Sequence, residues 1–363
     1  MRILVAIDGF GGTLTARQAG DAVAAGWMRS RPDDEVTVLP LSDGGEGLLD
    51  ALGDSVGREE NVEVAGPLGH PVDARLRIDG TTAVIESAQA CGLGRLEPHH
   101  RDPLRTTTWG VGQLVEAARA GGARRILVGL GGSATIDGGA GALGGLGFRL
   151  VEADGSGLKV GGGHVGCAAV ATRGWSPSFA EVDVLLLADV TTTLLDAPRV
   201  FGPQKGADDG AVRVLERGLR DFADVVERDL AGGESLRVHA GSGAAGGLGF
   251  GLACGIGAQL VPGFGVVSEL VGLAAAIQTA DLVITGEGRL DATSFEGKVV
   301  GEVLATADEH GRPVRAVVGS LGDDAGSGRR FADLEVSAPA GAGDDPAREV
   351  QEAAARLADR VRA

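Results

Sequence analysis

The sequence predicts a two-domain α/β protein in which a discontinuous, doubly wound parallel sheet is interrupted by an inserted α/β domain with a mixed sheet. Short, nearly all-apolar runs that suit buried parallel strands lie at both ends of the chain, and most are followed by helical patterns. The middle of the chain contains strand runs joined by tight-turn signals. Because both termini then fall in one domain, we place that domain at residues 1–57 and 278–363, and the inserted domain at residues 58–277.

The first two strands each end in an acidic residue. The apolar run at residues 2–7 ends at Asp8, and a glycine-rich loop and a helix over residues 16–29 follow. Residues 36–39 form the second strand, after which comes the loop that contains Asp43. The carboxyl ends of strands in open α/β sheets carry the ligand site, so both acids are candidate site residues. Each could instead be a plain helix cap.

The next stretch predicts an antiparallel meander. Strand runs at residues 62–65, 74–78 and 82–87 are separated by the turn signals Gly66-Pro67 and Asp79-Gly80. Three consecutive threonines, of which Thr106 and Thr107 are candidate substrate residues, then precede a helix over residues 110–121. Hydroxyl groups at this position can either cap the helix or bind a polar substrate.

The most conspicuous segment is the glycine-rich loop at residues 129–141, which follows a strand run and leads into a helical pattern. Such a strand, turn and helix N-terminus together form an anion cradle, and we expect Gly131, Gly132, Ser133 and Gly138 to line it. Asp137 lies inside the cradle, and a carboxylate beside a bound phosphate implies a metal ion between them. The alternative is a tight structural turn with Asp137 as a helix cap.

The second half of the chain repeats the pattern of strands that end in polar loops. Residues 184–189 form a buried strand ending at Asp189, and a charged helix spans residues 209–229. Residues 280–285 form another strand, and the loop after it contains Glu287, Arg289, Asp291 and Lys298. Strands at 314–318 and 334–337 and a final helix over 345–362 complete the first domain. Gly241–Gly246 matches GxGxxG, but it lies too late in the chain for a dinucleotide fingerprint, and we expect its small residues to allow close packing or to line the domain cleft.

Composition excludes several functions. Fifty acidic and 33 basic residues give a net charge of −17, which argues against nucleic acid and anionic membranes as partners. No apolar run approaches the ~20 residues that span a bilayer. Three widely spaced cysteines suggest free thiols in a reducing compartment, so we expect a cytoplasmic protein.

Lysine is rare, with only three among the 33 basic residues. A lysine kept in an arginine-rich background suits a site that needs a compact point charge. We expect Lys205 and Lys298 to have such a role, and Lys159 to be solvated.

The motifs together resemble the bacterial type I glycerate kinase family. The resemblance covers nearly the whole chain in order, and it is carried by Ser42–Gly47, Thr106–Gly110, Gly131–Gly139, Phe201–Gly206, Gly243–Gly249 and Thr285–Asp291. It implies ATP-dependent, Mg²⁺-assisted phosphorylation of D-glycerate, usually at the 2-hydroxyl. It also implies two α/β domains, the discontinuous one flavodoxin-like, with the active site in the interdomain cleft. Small-molecule substrates and a monomer or homodimer are expected.

The resemblance and the residues together suggest the following roles. The cradle and Lys205 would bind the nucleotide phosphates, and Asp189 or Asp137 would hold Mg²⁺. Asp8, Asp189 or Asp291 would accept the proton of the substrate hydroxyl, and Lys298 would stabilise the transferred phosphoryl group. The substrate would contact residues among Asp43, Arg105, Thr106, Thr107, Glu287 and Arg289, with Arg289 or Arg105 clamping its carboxylate.

The sequence departs from the family pattern at three loops. The first loop usually reads Asp-Ser-Phe-Lys-Gly-Ser and here reads Asp8-Gly-Phe-Gly-Gly-Thr13. Ile136 stands where Asn is usual, and the segment after Asp189 is shortened and lacks the usual Asp-Asn-Pro. These changes leave two alternatives open, a kinase for another small hydroxy acid and a catalytically silent binding protein. A nucleotide-binding oxidoreductase would rest only on Gly241–Gly246.

Overall fold

The structure is a computed structural model that describes residues 1–157, 161, 167–171, 177–322, 331–337 and 345–361. Lys159 lies outside these residues. Within the described ranges, none of the helices combines the length and the apolar character needed to cross a bilayer.

The strands in chain order are β1 (Arg2–Ile7), β2 (Glu35–Pro40), β3 (Arg58–Ala65), β4 (Pro71–Asp79), β5 (Thr82–Glu86), β6 (Arg125–Gly129), β7 (Arg149–Glu152), β8 (Cys167–Ala171), β9 (Asp183–Leu187), β10 (Gln259–Val261), β11 (Leu282–Thr285), β12 (Arg289–Leu290), β13 (Val314–Val318), β14 (Ser320–Leu321) and β15 (Asp333–Val336). The helices are α1 (Ala16–Ser30), α2 (Leu48–Leu52), α3 (Ala88–Cys91), α4 (Trp109–Ala120), α5 (Ala140–Gly145), α6 (Ala197–Phe201), α7 (Asp209–Asp229), α8 (Ala244–Ile256), α9 (Gly263–Leu270), α10 (Leu273–Thr279), α11 (Val299–Glu309) and α12 (Pro346–Asp359).

The chain divides into two compact units. Unit 1 comprises residues 1–43, 50–55 and 264–363, and unit 2 comprises residues 44–49 and 56–263. The sequence placed the second boundary between residues 277 and 278, which lies within α10. In the structure α10 counts with unit 1 because Leu273 and Ile277 are buried in the same apolar cluster as Leu4 of β1.

Unit 1 is built on a five-stranded sheet in the order β15-β13-β11-β1-β2, in which every neighbouring pair is parallel. In strand order along the chain this is 2-1-3-4-5, the flavodoxin-like doubly wound order. Apolar clusters cover both faces, one involving α1 and α12 and the other involving α10 and α11. The predicted parallel sheet and its five strands are therefore confirmed. The direction of winding reverses between β1 and β11, which makes their carboxyl ends the expected ligand position.

Unit 2 contains the six-stranded mixed sheet β10-β9-β6-β5-β4-β3. The strands β3, β4 and β5 form the predicted antiparallel meander, and β5, β6, β9 and β10 pair in parallel. One large apolar cluster, to which α4, α5, α7 and α8 contribute, packs on this sheet. The carboxyl ends of β5, β6 and β9 therefore bring Ser87, the glycine-rich loop and Asp189 to one edge.

Local signals explain the helix boundaries. Thr15 caps α1 through a complete capping box, in which Gln18 N donates to Thr15 Oγ1 at 3.2 Å and Thr15 N donates to Gln18 Oε1 at 2.9 Å. Asp208 caps α7 by accepting from Ala211 N at 2.8 Å. Both helices therefore begin where the sequence predicts.

Gly26 allows the close packing of α1 against α12. A Cβ atom at Gly26 would lie 2.0 Å from the carbonyl oxygen of Gln351 and 2.9 Å from the Cβ of Ala354. Gly26→Ala would gain about 1 kcal/mol in helix propensity, but the backbone of α12 would have to shift, at a typical overpacking cost of about 1–3 kcal/mol or more. We expect a net loss of about 1 kcal/mol or more in unfolding free energy, measured by urea denaturation. Gly265→Ala in α9, where a Cβ meets nothing within 4 Å, is the matched control and should be neutral or stabilising. Equal effects of the two substitutions would contradict this role of Gly26.

Candidate active site

A pocket of about 400 Å³ lies at the carboxyl edge of the unit 1 sheet. The residues that line it come from the loops after β1, β11, β13 and β15 and from the start of α12. They include Asp8, Glu287 and Arg289, which the sequence singled out, together with Gly9, Gly11, Ser320 and Ser337. We call it the strand-end pocket. It lies where the sheet changes its direction of winding, as expected for this fold.

Asp8 is the most perturbed acid of the strand-end pocket. Burial, followed by repulsion from Asp43 and Glu287, raises the pKa of the Asp8 carboxyl to about 8, although Gly9 N donates to its Oδ1 at 2.7 Å and Lys298 acts in the opposite direction. Asp8 is half-buried and faces the pocket. A group with a pKa near neutrality in a pocket is a candidate for proton transfer.

The negative charge of Glu287 is balanced only in part by the nearby charge of Lys298. Burial is the main cause that raises the pKa of its carboxyl, and its Oε1 is buried without a hydrogen-bond partner. Among the described residues, no three His, Cys, Asp or Glu side chains are arranged to hold a metal ion. Mg²⁺, however, usually takes only one or two carboxylates and completes its shell with water and phosphate oxygens. An unpartnered carboxylate oxygen beside a second repelled acid fits such an ion.

The loop after β11 also places the other predicted residues of unit 1. Asp291 caps the following turn by accepting from Thr293 N at 2.9 Å and from Thr293 Oγ1 at 2.7 Å, which lowers its pKa. Lys298 Nζ donates to Thr293 Oγ1 at 3.2 Å, and its charge lowers the pKa of the Asp8, Glu287 and Asp291 carboxyls. The Arg289 side chain is exposed. Its Nε lies 3.8 Å from Asp291 Oδ2, so this contact constrains the position of the guanidinium little. The capping geometry favours a positioning role for Asp291 over proton transfer.

In unit 2 the structure favours the structural interpretation of Asp137. The side chain is fully buried, and its carboxylate accepts from Thr108 N, Thr108 Oγ1, Gly139 N and Gly141 N at 2.9–3.1 Å. These bonds cap the start of α5 and fasten it to the segment before α4. Four protein donors leave this carboxylate little capacity for a metal ion, so Asp137 is better explained as a helix cap than as a Mg²⁺ ligand.

The remaining polar groups of the cradle are also used internally. Ser133 Oγ lies 2.6 Å from Thr135 Oγ1, both hydroxyls are buried, and Gly138 N donates to Gly246 O at 3.0 Å. The loop packs so tightly on the start of α8 that a Cβ at Gly246 would lie 1.9 Å from Thr135 O. The expected close packing of Gly241–Gly246 is therefore confirmed. Only Gly131 and Gly132 of the predicted phosphate residues keep partial exposure, beside the loop at residues 44–46.

Lys205 is a buried lysine that holds this loop. Its Nζ donates to Thr135 O at 2.8 Å and lies 5.7 Å from the ring centre of Phe201, and the residue is 3% exposed. Burial lowers the pKa of Lys205 to about 8, while the charge of Asp137 favours the ammonium form. The burial of Lys205 agrees with the expectation that a compact positive charge is needed here. The group that its ammonium contacts, however, is a backbone carbonyl of the glycine-rich loop.

The threonines before α4 are fixed by internal bonds. Thr106 Oγ1 donates to Ala134 O at 2.8 Å, and Thr107 Oγ1 accepts from Trp109 N at 3.2 Å. Thr108 Oγ1 accepts from Ala142 N, so it caps α5 and not the helix that directly follows it. Thr107 therefore accepts from the first N–H of α4, as the capping alternative expects, whereas Thr106 donates to a carbonyl and caps no helix. The side chain of Arg105 is exposed, and its backbone N–H donates to Asp102 O at 3.0 Å.

Two further acids lie at strand ends of unit 2. Asp189 is half-buried after β9, and its Oδ1 accepts from Gly263 N at 3.3 Å. Glu86, which the sequence analysis did not single out, is 3% exposed and accepts from Gly47 N and Leu49 N at 3.1 Å. It therefore fixes the Asp43-to-Gly47 loop that precedes α2. Its position at the end of β5 is a signal that could have identified it.

Comparison with known proteins places this geometry in a family. A family model described as the glycerate kinase family matches residues 3–362. A glycerate kinase of Bacillus subtilis is 41% identical over 331 residues, and the match covers 89% of this chain and 86% of the relative. A glycerate 2-kinase of Escherichia coli is 38% identical over 333 residues, and the match covers 90% of this chain and 87% of the relative. A crystal structure from Salmonella typhimurium, of a protein assigned as glycerate kinase 2, superposes with a TM-score of 0.84 at 36% identity, over 99% of this chain and 97% of that one.

Proposed function

The chain belongs to the glycerate kinase family of phosphotransferases, and from this premise we propose that it transfers the γ-phosphoryl group of ATP to the 2-hydroxyl of D-glycerate with the help of Mg²⁺. The observation that supports this function best is Asp8, a half-buried acid with a raised pKa in the strand-end pocket. The relatives named above phosphorylate glycerate, and the B. subtilis and E. coli proteins match nine-tenths of the chain.

The proposed reaction uses the residues of unit 1 as follows. Arg289 binds the carboxylate of glycerate, because it is the exposed cation of the strand-end pocket. Ionised Asp8 accepts the hydroxyl proton as the substrate oxygen bonds to the γ-phosphorus and the bond to ADP breaks. Lys298 stabilises the charge of the transferred group. The negative charges of Asp43 and Glu287 raise the pKa of Asp8, and so help to set the pH range in which it can act as a base.

We assign the metal to Glu287, whose buried Oε1 has no protein partner, with Asp189 as the alternative that the sequence indicated. When bound, Mg²⁺ would neutralise phosphate charge and orient the nucleotide. In unit 2, Gly131 and Gly132 stay candidate phosphate contacts because they are partly exposed. Lys205, Ser133, Asp137 and Gly138 then support the loop from within.

The function is tested by ADP release with D-glycerate in the presence of Mg²⁺, with ³¹P NMR to identify the product. We expect turnover that stops on chelation with EDTA and a product phosphorylated at the 2-position. Binding of ATP without turnover of any small hydroxy acid would instead support the silent protein. A change in reduced-nicotinamide absorbance would support the oxidoreductase.

Lys298→Ala is expected to lower kcat by about 100-fold, because the variant removes a charge that acts on the reacting groups. Lys298→Arg, which keeps the charge in a different geometry, should recover part of the loss. Steady-state kinetics with D-glycerate measures both. A rate within twofold of wild type for Lys298→Ala would remove this residue from the site.

A further inference from the structure

The strand-end pocket is larger than a three-carbon acid requires. Glycerate fills on the order of 100 Å³, about three water volumes, whereas pockets of about 300 Å³ and more hold ligands of drug size. The pocket volume of about 400 Å³ therefore leaves space beyond glycerate, even when a phosphoryl group of roughly two water volumes lies beside Asp8.

Glycine forms part of the pocket lining. Gly9 and Gly11 both line it, and a Cβ built at Gly11 or at its neighbour Gly12 meets nothing within 4 Å. Space, and not close backbone packing, is therefore what Gly11 provides.

Three hydroxyl-bearing residues line the pocket, and each hydroxyl already donates its hydrogen to a backbone carbonyl. Thr13 Oγ1 donates to Phe10 O at 2.7 Å, Ser320 Oγ donates to Gly288 O at 3.3 Å, and Ser337 Oγ donates to Val318 O at 3.3 Å. Because each hydroxyl has used its one hydrogen, its lone pairs are what it offers a ligand. All three residues line the pocket, so the pocket suits a ligand with several O–H donors.

The lining is a poor match for a nucleotide base. Phe10 and Val350 are 4% and 1% exposed, so neither offers an open apolar face on which a base can stack. No lysine is among the described lining residues, and Arg289 supplies the positive charge for a single carboxylate. One carboxylate, several hydroxyls and a length beyond three carbons describe an aldonic acid.

We propose that the strand-end pocket accepts aldonic acids of four to six carbons as phosphoryl acceptors in addition to glycerate. The proposal rests on the proposed function, and it extends the substrate class of the same site. The step is the same, since the acid's hydroxyl oxygen bonds to the γ-phosphorus, ADP leaves and the proton passes to Asp8. The hydroxyls beyond the third carbon would donate to Ser320 and Ser337.

The test compares D-glycerate, D-erythronate, D-ribonate and D-gluconate in the ADP-release assay, with ³¹P NMR of each product. We expect at least the four- and five-carbon acids to react with kcat/KM within about tenfold of glycerate. Gly11→Leu should lower the ratio of kcat/KM for ribonate to that for glycerate by about tenfold or more. Ser337→Ala should lower the same ratio by about threefold to tenfold.

Two matched controls should leave this ratio unchanged. Gly94→Leu also adds a side chain where a Cβ meets nothing within 4 Å, but on unit 2. Ser268→Ala removes a hydroxyl that likewise donates to a backbone carbonyl, Gly265 O at 2.9 Å, on the exposed side of α9.

The outcomes separate the two proposals. Turnover of glycerate with no turnover of, and no competition by, the longer acids overturns the inference and leaves the proposed function intact. Weaker ATP binding in Gly11→Leu with an unchanged ratio also overturns it, since the pocket then holds nucleotide. If no acid is phosphorylated, glycerate included, the proposed function fails. Calorimetric binding of ribonate to wild type and its loss in Gly11→Leu would then support the pocket assignment, and absence of binding would refute it.

Discussion

Asp8→Asn is expected to lower kcat/KM for D-glycerate by about 100- to 10,000-fold, the usual contribution of a positioned general base. The amide keeps the shape of the carboxylate and cannot accept the hydroxyl proton. In wild type the base form of Asp8 increases as the pH rises towards its pKa of about 8, so kcat/KM should rise with pH across the neutral range. A bound cation would move this rise in kcat/KM to lower pH. The residual activity of the variant should not rise with pH in this way.

The same substitution is expected to stabilise the fold at alkaline pH. The folded-state pKa of Asp8 lies above its unfolded value of 3.8, so the stability that its protonated form contributes is complete below pH 3.8 and is lost as the pH rises through about 8. Asn cannot ionise and avoids that loss. The full shift corresponds to roughly 6 kcal/mol, but water in the pocket screens part of it, and we expect a gain of about 2 kcal/mol at pH 8.

Unfolding in urea at pH 5 and pH 8 measures this effect, since the gain should be larger at pH 8. Asp308→Asn, an exposed acid on α11 of the same unit, is the matched control and should change neither activity nor stability by much. A variant that lost activity and was also less stable at pH 8 would show that Asp8 is structural. A variant with full activity would exclude it as the base.

The unit 1 sheet was predictable because its strands are short apolar runs, and those at residues 2–7 and 280–285 are followed by polar, glycine-rich loops. Asp8 and Glu287 follow β1 and β11, so the topology alone brings them to one edge. The boundary at α10 was not predictable in the same way. Leu273 and Ile277 show only that a helix buries an apolar face, and which sheet receives that face depends on contacts with residues far away in the chain, such as Leu4.

The glycine-rich loop shows why a site is harder to predict than a sheet. Glycine permits a backbone to approach a phosphate, and it equally permits two backbones to approach one another. Gly246 and Gly138 have φ angles of +70° and +63°, and a Cβ at Gly246 or Gly247 would lie 1.9 Å from Thr135 O or 2.7 Å from Gly138 Cα. Sequence spacing cannot distinguish the two uses, because the partner segment lies more than a hundred residues further along the chain.

Asp137→Ala is expected to destabilise unit 2 by about 3–5 kcal/mol, the largest stability loss we anticipate for a single substitution. It leaves the backbone donors of Thr108, Gly139 and Gly141 buried without an acceptor, and it removes the negative charge that balances the buried Lys205 ammonium. Asp208→Ala, an exposed helix cap on α7, is the matched control and should cost only about 1 kcal/mol. If Asp137→Ala does not fold, Asp137→Asn keeps one acceptor oxygen and should lose less.

The measurement also separates a cap from a metal ligand. A cap predicts that urea unfolding without Mg²⁺ already shows the loss, and that amide exchange at Gly139 and Gly141 becomes faster. A Mg²⁺ ligand predicts a different pattern, because removing one of several repelled acids in the metal-free protein relieves repulsion. An Asp137→Asn protein as stable as wild type in EDTA, but no longer stabilised by Mg²⁺, would restore Asp137 to the metal site and with it the phosphate cradle of unit 2.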